Sequence, residues 1–177
     1  MPLRAAILTV SDQGSRGERV DTSGPAVRRL LAESGAEVMR YDVVPDERER
    51  IAAVLRAWCD AGDLDVVVTT GGTGLAARDV TPEATGDVSE RLVPGLAEVM
   101  RAEGLRHTRN AMLGRGIAAV RGRTLIVNLP GSERGARESL GAILDVLPHA
   151  VELLRGVTEH GAPGGGEAPA GGPRPAR

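Results

Sequence analysis

The chain has 177 residues and a formal net charge of −2, with 41% apolar and 1% aromatic residues. This length and apolar content predict one globular domain whose core consists of Val, Leu, Ile and Ala. The balanced charge and the shortage of aromatic side chains argue against a nucleic-acid-binding protein, which needs a basic surface or stacking residues. A single cysteine, Cys59, excludes a disulfide within the chain and a cysteine-rich zinc site.

The sequence also lacks an apolar run long enough to cross a membrane, and its N-terminus lacks the apolar region of a signal peptide. We therefore expect a cytoplasmic protein with no membrane contact. Residues 161–177 are rich in Gly and Pro and show no apolar periodicity. Such a composition cannot bury a core, which predicts a disordered tail after a single domain formed by residues 1–160.

The first predicted strand, Arg4 to Val10, ends in a polar loop that contains Ser11, Asp12 and Ser15. For Asp12 and Ser15, turn formation through side-chain-to-backbone hydrogen bonds explains the loop as well as ligand contact does. The helix that follows is predicted to have Ser23 as its N-cap.

The second predicted strand, Glu37 to Val44, is followed by Asp46. Asp46 and Glu49 have the spacing of a capping box in front of a helix with an apolar face from Ile51 to Trp58. The pattern alone therefore predicts that Asp46 is a helix N-cap.

A third apolar run, Val66 to Val68, leads into the loop Gly71-Gly72-Thr73-Gly74 and then into Arg78 and Asp79. Glycines let the backbone turn sharply and leave its N–H groups open to an anion. The next helix is predicted to start with Thr81 as N-cap and Pro82 as its first residue. A plain strand-turn-helix connection would also explain the glycines, but it does not need the Arg-Asp pair, which favours a phosphate-binding loop.

Two common glycine-loop motifs fit this stretch poorly. A Walker A loop requires lysine, and the sequence contains none. Residues 72–77 match the G-x-G-x-x-A dinucleotide fingerprint, but the predicted helix does not begin within it.

Further along, residues 116–120 and 124–128 are predicted strands joined by a hairpin turn at residues 121–123. The segment Asn128 to Ser132, NLPGS, joins the last strand to a helix with Ser132 as N-cap. Alternating strands and helices predict an α/β fold, a three-layer α/β/α sandwich with a mostly parallel sheet and one antiparallel hairpin pairing. Since parallel strands end at one edge, the loops after Val44, Thr70 and Asn128 are expected to converge.

Four segments together resemble the molybdopterin adenylyltransferase family, the Mog/MoaB-like proteins of molybdenum cofactor biosynthesis. They are the SD…G…D-x-SG loop, VVPDE, TTGGTG with LAARDVTPEAT, and NLPGS. The resemblance implies transfer of AMP from ATP to the terminal phosphate of molybdopterin, with release of pyrophosphate. It also implies a homotrimer, and a possible partner in the molybdenum-inserting enzyme of the same pathway.

The resemblance assigns roles to individual residues. Asp46 and Asp79 would be catalytic and would hold Mg²⁺. The residues that would contact ATP or molybdopterin are Ser11, Asp12, Gly71, Gly72, Thr73, Gly74, Arg78, Thr81, Pro130, Gly131 and Ser132. The family often has proline after this serine, whereas Glu133 stands here; a carboxylate suits a helix N-terminus but opposes a phosphate bound at the same place.

Two other functions fit the same residues. One is a molybdopterin-binding or scaffolding protein of this fold without adenylyl transfer; Asp46 and Asp79 argue against it, because a binder needs no pair of metal-holding carboxylates. The other is the equivalent step of a tungsten pathway, since this chain does not itself hold molybdenum or tungsten at this step.

Removal of the residues after His160 should change neither the melting temperature nor the activity, because that segment has no core-forming pattern. Thermal unfolding and an activity assay of the truncated and full-length chains test this. A clear drop in melting temperature would show that the tail packs against the domain.

Overall fold

The computed structural model describes residues 1–156; the predicted tail and the domain boundary at residue 160 lie outside the described residues. One six-stranded sheet has the order β2-β1-β3-β6-β5-β4. Its strands are β1 (Arg4–Val10), β2 (Glu37–Val44), β3 (Val66–Thr70), β4 (Arg91–Leu92), β5 (Ala118–Arg121) and β6 (Thr124–Leu129). The helices are α1 (Asp12–Ser15), α2 (Ser23–Glu33), α3 (Arg48–Asp60), α4 (Thr81–Val88), α5 (Pro94–Leu105), α6 (Glu133–Gly141) and α7 (Leu147–Leu154), with a 3₁₀ helix at Arg109–Leu113.

The sheet is the middle of three layers, as predicted. Alternate residues of β1 face opposite sides, so that Ile7 packs in one core with α2, α5, α6 and α7, while Leu8 packs in the other with α3 and α4. Both faces are covered, which explains why β1, β3 and β6 are almost continuously apolar. Val, Leu, Ile and Ala dominate both cores, and burial raises the pKa of the Cys59 thiol to about 11, as befits a core residue.

The pairing of the strands confirms a mostly parallel sheet. Strands β2, β1, β3 and β6 are parallel neighbours, and β5 pairs with β6 in the antiparallel sense across a tight turn at residues 122–123. The two-residue edge strand β4, antiparallel to β5, was not predicted. It is too short and too exposed to give a periodic signal.

The order of the strands fixes where a ligand can bind. From β1 the chain passes to β2 on one side and then to β3 on the other, so that the connections after β1 and β3 diverge. Crevices of this kind, at the carboxyl ends of parallel strands, are the usual binding sites of open α/β sheets. In register, Thr9, Thr70 and Leu129 lie side by side at this edge.

The start of α2 differs from the prediction. Ser23 is the first helical residue, and Thr22, which precedes the helix, makes no capping bond. Instead the Asp21 carboxylate accepts hydrogen bonds from the Gly24 N–H and the Ser23 hydroxyl, both at 3.0 Å. Aspartate caps a helix as well as serine does, so the sequence pattern was compatible with either residue.

Among residues 1–156, no helix has the length and hydrophobicity needed to cross a lipid bilayer.

Asp65 lies at the amino-terminal end of β3, at the opposite end of the strands from the glycine loop, and connects it to the end of helix α7. Its carboxylate accepts hydrogen bonds from the Arg4 backbone N–H and guanidinium, at 2.9 to 3.2 Å, and from the Arg155 guanidinium at 2.7 Å. Burial raises the pKa of Asp65, but the bonds from Arg4 and Arg155 outweigh it, and the net pKa lies below the usual value. The ionised form is therefore the one that the fold stabilises.

We expect Asp65→Asn to lower the free energy of unfolding at neutral pH by about 1–3 kcal/mol, because two arginines lose their charged acceptor. The folded pKa of Asp65 is depressed, so its contribution is present above the unfolded carboxyl pKa of about 3.9 and is lost as the pH falls through the folded pKa. Urea unfolding of both proteins should thus show a difference that shrinks below about pH 4.

Asp63→Asn is the matched control, since Asp63 pairs with Arg40 at a more exposed site. We expect it to cost less than Asp65→Asn, because exposed ion pairs are screened by solvent and contribute little. Equal losses for the two variants would contradict a special role for Asp65.

Candidate active site

Three backbone segments meet at Gly71, where β3 enters the glycine loop. Gly71 has φ +100°, and a Cβ there would lie 2.2 Å from the Val10 carbonyl oxygen. The Gly71 N–H donates to the Leu129 carbonyl at 3.2 Å, and a Cβ on Gly131 would lie 3.2 Å from the Gly71 Cα. Only glycine allows this approach, which brings the loops after β1, β3 and β6 together.

Thr81 holds the glycine loop through hydrogen bonds and is not the N-cap of α4. It is the first helical residue, after Val80, and it is fully buried. Its hydroxyl donates to the Gly71 carbonyl at 2.9 Å and its N–H to the Gly72 carbonyl at 3.0 Å. Gly72, with φ +63°, must also lack a side chain, because a Cβ there would lie 2.3 Å from the Thr81 hydroxyl oxygen. In this structure both polar groups of Thr81 bond within the protein and shape the loop.

The loops leave a set of backbone donors unused. Within residues 1–156, no acceptor pairs with the N–H groups of Gly72, Thr73, Gly74, Gly131 and Ser132. Ser132 caps α6 as predicted, its hydroxyl accepting from the Gly135 N–H at 3.1 Å. Unpaired amides beside a helix N-terminus form a natural phosphate-binding site.

Two cavities lie side by side along this edge and share Gly72, Asp79, Gly131 and Ser132. One, of about 360 Å³, lies over β1 and β3 and includes Ser11, Gly71 and Asp46 in its lining. The other, of about 430 Å³, lies between the loops and helices α5 and α6, and includes Thr73, Gly74 and Pro130. A larger cavity of about 700 Å³ at the opposite edge has mainly apolar walls around Leu31 and Val151 and no convergent amides.

Asp46 is not a helix cap, contrary to the prediction from its spacing. Helix α3 starts at Arg48, preceded by Glu47, which makes no side-chain capping bond. The Asp46 Oδ2 atom accepts from the Asp12 N–H at 2.8 Å, and the Asp12 Oδ1 atom accepts from the Asp46 N–H at 3.0 Å. This reciprocal pair joins the loops after β1 and β2 and turns the Asp46 side chain towards the cavity instead of the helix.

The pKa of Asp46 is raised. Burial is the largest cause, and the nearby carboxylates of Asp12 and Asp79 add to it, while the Asp12 N–H and Arg78 oppose it. Within the described residues Oδ1 of Asp46 accepts no hydrogen bond. A partly desolvated carboxylate with a free oxygen is a site that a cation would stabilise.

Arg78 and Asp12 form a pair at the rim and line neither cavity. The Arg78 guanidinium donates to both carboxylate oxygens of Asp12, at 2.6 and 2.9 Å, which lowers the pKa of Asp12. The pair links the glycine loop to the loop after β1. Its guanidinium is held by a carboxylate, so a phosphate would have to compete for it.

Asp79 borders both cavities. Its Oδ2 atom accepts from the Ala76 N–H at 2.9 Å, and a Cβ on Gly74 would lie 2.8 Å from this oxygen. Its Oδ1 atom has no hydrogen-bond partner in the described part of the chain. Asp46 and Asp79 thus each keep one oxygen free of hydrogen bonds within the described residues, and both side chains line the smaller cavity.

Mg²⁺ is commonly held by one or two carboxylates together with substrate phosphates. The free oxygens of Asp46 and Asp79 beside a phosphate-binding loop fit this requirement. Within residues 1–156 no group of three or more His, Cys, Asp or Glu residues could hold a metal by itself. Any metal here would therefore complete its coordination with substrate or water oxygens.

Sequence reasoning missed Arg115, which donates a hydrogen bond to the glycine loop, and it missed part of the role of Asp21. Asp21 lines the smaller cavity and accepts hydrogen bonds from Thr9, Tyr41, Ser23 and the Gly24 N–H. Burial raises the pKa of Asp21, but these four donors lower it overall. Burial, together with the hydrogen bond to Asp21, raises the pKa of Tyr41 to about 12. Only the D-x-SG spacing could have indicated the cap, and nothing local indicated Arg115.

The fold and this site define an α/β protein whose glycine loop presents unpaired backbone amides where two cavities adjoin. The family described as "Probable molybdopterin binding domain" matches residues 6–149, and the chain belongs to that family of molybdenum cofactor biosynthesis. The curated molybdopterin adenylyltransferase of Helicobacter pylori is 40% identical over 156 residues, which cover 87% of this chain and 89% of that protein. The predicted enzyme class, a nucleotidyltransferase, is confirmed at this level.

Two further comparisons agree. The molybdenum cofactor synthesis protein cinnamon of Drosophila melanogaster is 44% identical over 84% of this chain, which corresponds to only 25% of that longer protein. The crystal structure of the molybdopterin biosynthesis enzyme MoaB from Thermus thermophilus superposes with a TM-score of 0.82 at 60% identity, covering 87% of this chain and 97% of that one. The expected family and fold are therefore confirmed.

Asp46→Asn should leave stability nearly unchanged, because the amide oxygen still accepts the Asp12 N–H, while nucleotidyl transfer falls by about 10²-fold or more. Asp46→Ala should in addition lower the free energy of unfolding by about 1 kcal/mol through loss of that hydrogen bond. Thermal unfolding and initial rates of both variants measure this. Asp42→Asn, an exposed carboxylate on β2, is the control, and an active Asp46→Asn enzyme would remove Asp46 from the catalytic site.

Proposed function

We propose that this chain transfers AMP from ATP to the terminal phosphate of molybdopterin and releases pyrophosphate. The observation that carries the proposal is the junction of two cavities where the glycine loop meets the loop after β6, with Gly72, Asp79, Gly131 and Ser132 common to both. A transfer between two phosphorylated substrates requires two organic groups to be bound separately while their phosphates meet. One cavity would take the nucleoside and the other the pterin.

In the reaction, an oxygen of the molybdopterin phosphate attacks the α-phosphorus of ATP. A new P–O bond forms, the bond from the α-phosphorus to the bridging oxygen breaks, and pyrophosphate leaves with that oxygen. The free N–H groups of Gly72, Thr73 and Gly74 would hold phosphate oxygens. Preorganised donors of this kind stabilise the charge of the transition state without reorganisation.

Asp46 and Asp79 would hold Mg²⁺ against the ATP phosphates. When bound, the ion neutralises charge on the transferring phosphoryl group. Asp46 would orient it from the β2 side and Asp79 from the glycine loop, since both carboxylates line the smaller cavity. Arg78 lies near enough to favour the ionised form of Asp46.

The alternative, a molybdopterin-binding or scaffolding protein without turnover, needs no pair of carboxylates with free oxygens lining the smaller cavity. Those oxygens favour catalysis. We further propose a homotrimer and, as a partner, the molybdenum-inserting enzyme of the same pathway, both on the ground of family membership alone. A cytoplasmic location is proposed from the sequence pattern.

The direct test is to incubate the purified chain with molybdopterin, Mg²⁺ and ATP labelled in the α-phosphate. We expect labelled adenylylated molybdopterin and an equal amount of pyrophosphate. Molybdopterin binding without either product would support the binding protein instead.

Asp79→Asn should reduce adenylyl transfer by about 10²-fold or more, since one charge that faces the transferring phosphates is lost. Molybdopterin affinity should change little, because the amide oxygen can still accept the Ala76 N–H and keep the loop closed. Rates and pterin titrations measure the two effects. Asp87→Asn, which removes an exposed carboxylate of α4 that pairs with Arg48, is the control; equal loss of binding and turnover in Asp79→Asn would indicate a folding role.

A further inference from the structure

Arg115 holds the glycine loop from the side away from the cavities. It lies between the 3₁₀ helix and β5. It lines neither of the two adjoining cavities, although its neighbours Gly114 and Gly116 line the 430 Å³ cavity next to α5 and α6. Its Nε atom donates to the Gly74 carbonyl at 2.7 Å, and its Nη2 atom to the Asp79 carbonyl at 2.6 Å.

Two more contacts fix Arg115 itself. Its backbone N–H donates to the Thr73 carbonyl at 2.9 Å. Its Nη1 atom forms an ion pair with Glu83 in the first turn of α4, and this hydrogen bond lowers the pKa of Glu83. The guanidinium therefore bridges helix α4 and the glycine loop: Nη1 bonds to Glu83, and Nε and Nη2 bond to the loop.

The geometry points to Arg115 as a positioning residue for the Asp79 carboxylate, an inference that rests on the proposed function. The carbonyls of Gly74 and Asp79 converge on one cation, and in its absence they would repel each other. With its carbonyl fixed by Arg115 and its Oδ2 fixed by the Ala76 N–H, Asp79 has one free oxygen left, Oδ1, to face the cavities.

Lysine could not replace Arg115. The three contacts come from three nitrogens of one planar group, whereas an ammonium is a single point charge on a flexible stem. Arg115→Lys should keep the charge beside Glu83 while losing the simultaneous hold on Gly74 and Asp79.

The chain offers a matched control in Arg121. It pairs with Asp60 through Nε and Nη2, and its Nη1 atom donates to the Val88 carbonyl at 3.0 Å. It thus also joins a carboxylate to a backbone carbonyl, and like Arg115 it lines neither cavity, but it makes no hydrogen bond to the glycine loop or to Asp79. A loss that comes only from missing hydrogen bonds should be the same for both arginines.

We would compare Arg115→Ala, Arg115→Lys and Arg121→Ala by thermal unfolding, by kcat for adenylyl transfer and by amide hydrogen exchange of residues 74–80. All three should fold, with the two alanine variants similarly destabilised. Only the Arg115 variants should lose kcat, by ~10- to 10²-fold, the scale expected for a small displacement of a catalytic group. Only they should show faster exchange of the Ala76 amide. Free guanidinium, well below denaturing concentrations, should partly restore kcat to Arg115→Ala and not to Arg115→Lys.

A kcat within twofold of wild type for Arg115→Lys, or unchanged exchange of the Ala76 amide, would overturn the inference. So would equal kcat losses in Arg115→Ala and Arg121→Ala. If Asp79→Asn itself remained active, the proposed role of Asp79 would fail; the exchange measurement would still decide whether Arg115 orders the loop. The two failures are therefore distinguishable.

Discussion

At Gly71 the backbones of three strand-to-loop connections meet with no side chain between them. A Cβ at this position would overlap the Val10 carbonyl, and Gly131 approaches from the other side. Because backbone rather than side chains fills the space, the amides of Gly72, Thr73 and Gly74 are left beside those of Gly131 and Ser132. The set of unpaired amides that we propose as the phosphate site thus depends on one close contact.

The carboxylates are arranged around that contact by hydrogen bonds from neighbouring backbone. Asp46 is held by the Asp12 N–H and Asp79 by the Ala76 N–H, so that one oxygen of each carboxylate is hydrogen-bonded within the fold. A carboxylate used in this way has a fixed position and still carries its charge. Because an amide oxygen can accept the same hydrogen bond but carries no charge, an asparagine at either position should preserve the structure and impair the reaction.

Two arginines near the loops are held by ion pairs, and their positions decide their roles. Arg78 at the rim is paired with Asp12, and Arg115 under the loop is paired with Glu83 and two carbonyls. The N–H groups of the loop, rather than a lysine, are left to face an anion. Binding through fixed amides favours a defined phosphate geometry over simple charge attraction.

The sequence by itself determined the layers, the parallel sheet and the glycine loop, because apolar periodicity and turn residues act locally. It also indicated the family through four short segments. It misplaced the helix starts at Ser23, Asp46 and Thr81, since serine, threonine and aspartate bond equally well to a helix end or to a distant backbone. Only the tertiary structure decided that Asp46 pairs with Asp12, 34 residues away, and that Arg115 reaches Gly74, 41 residues away. Contacts across such separations depend on how strands order themselves in the sheet, and no local pattern of residues encodes that order.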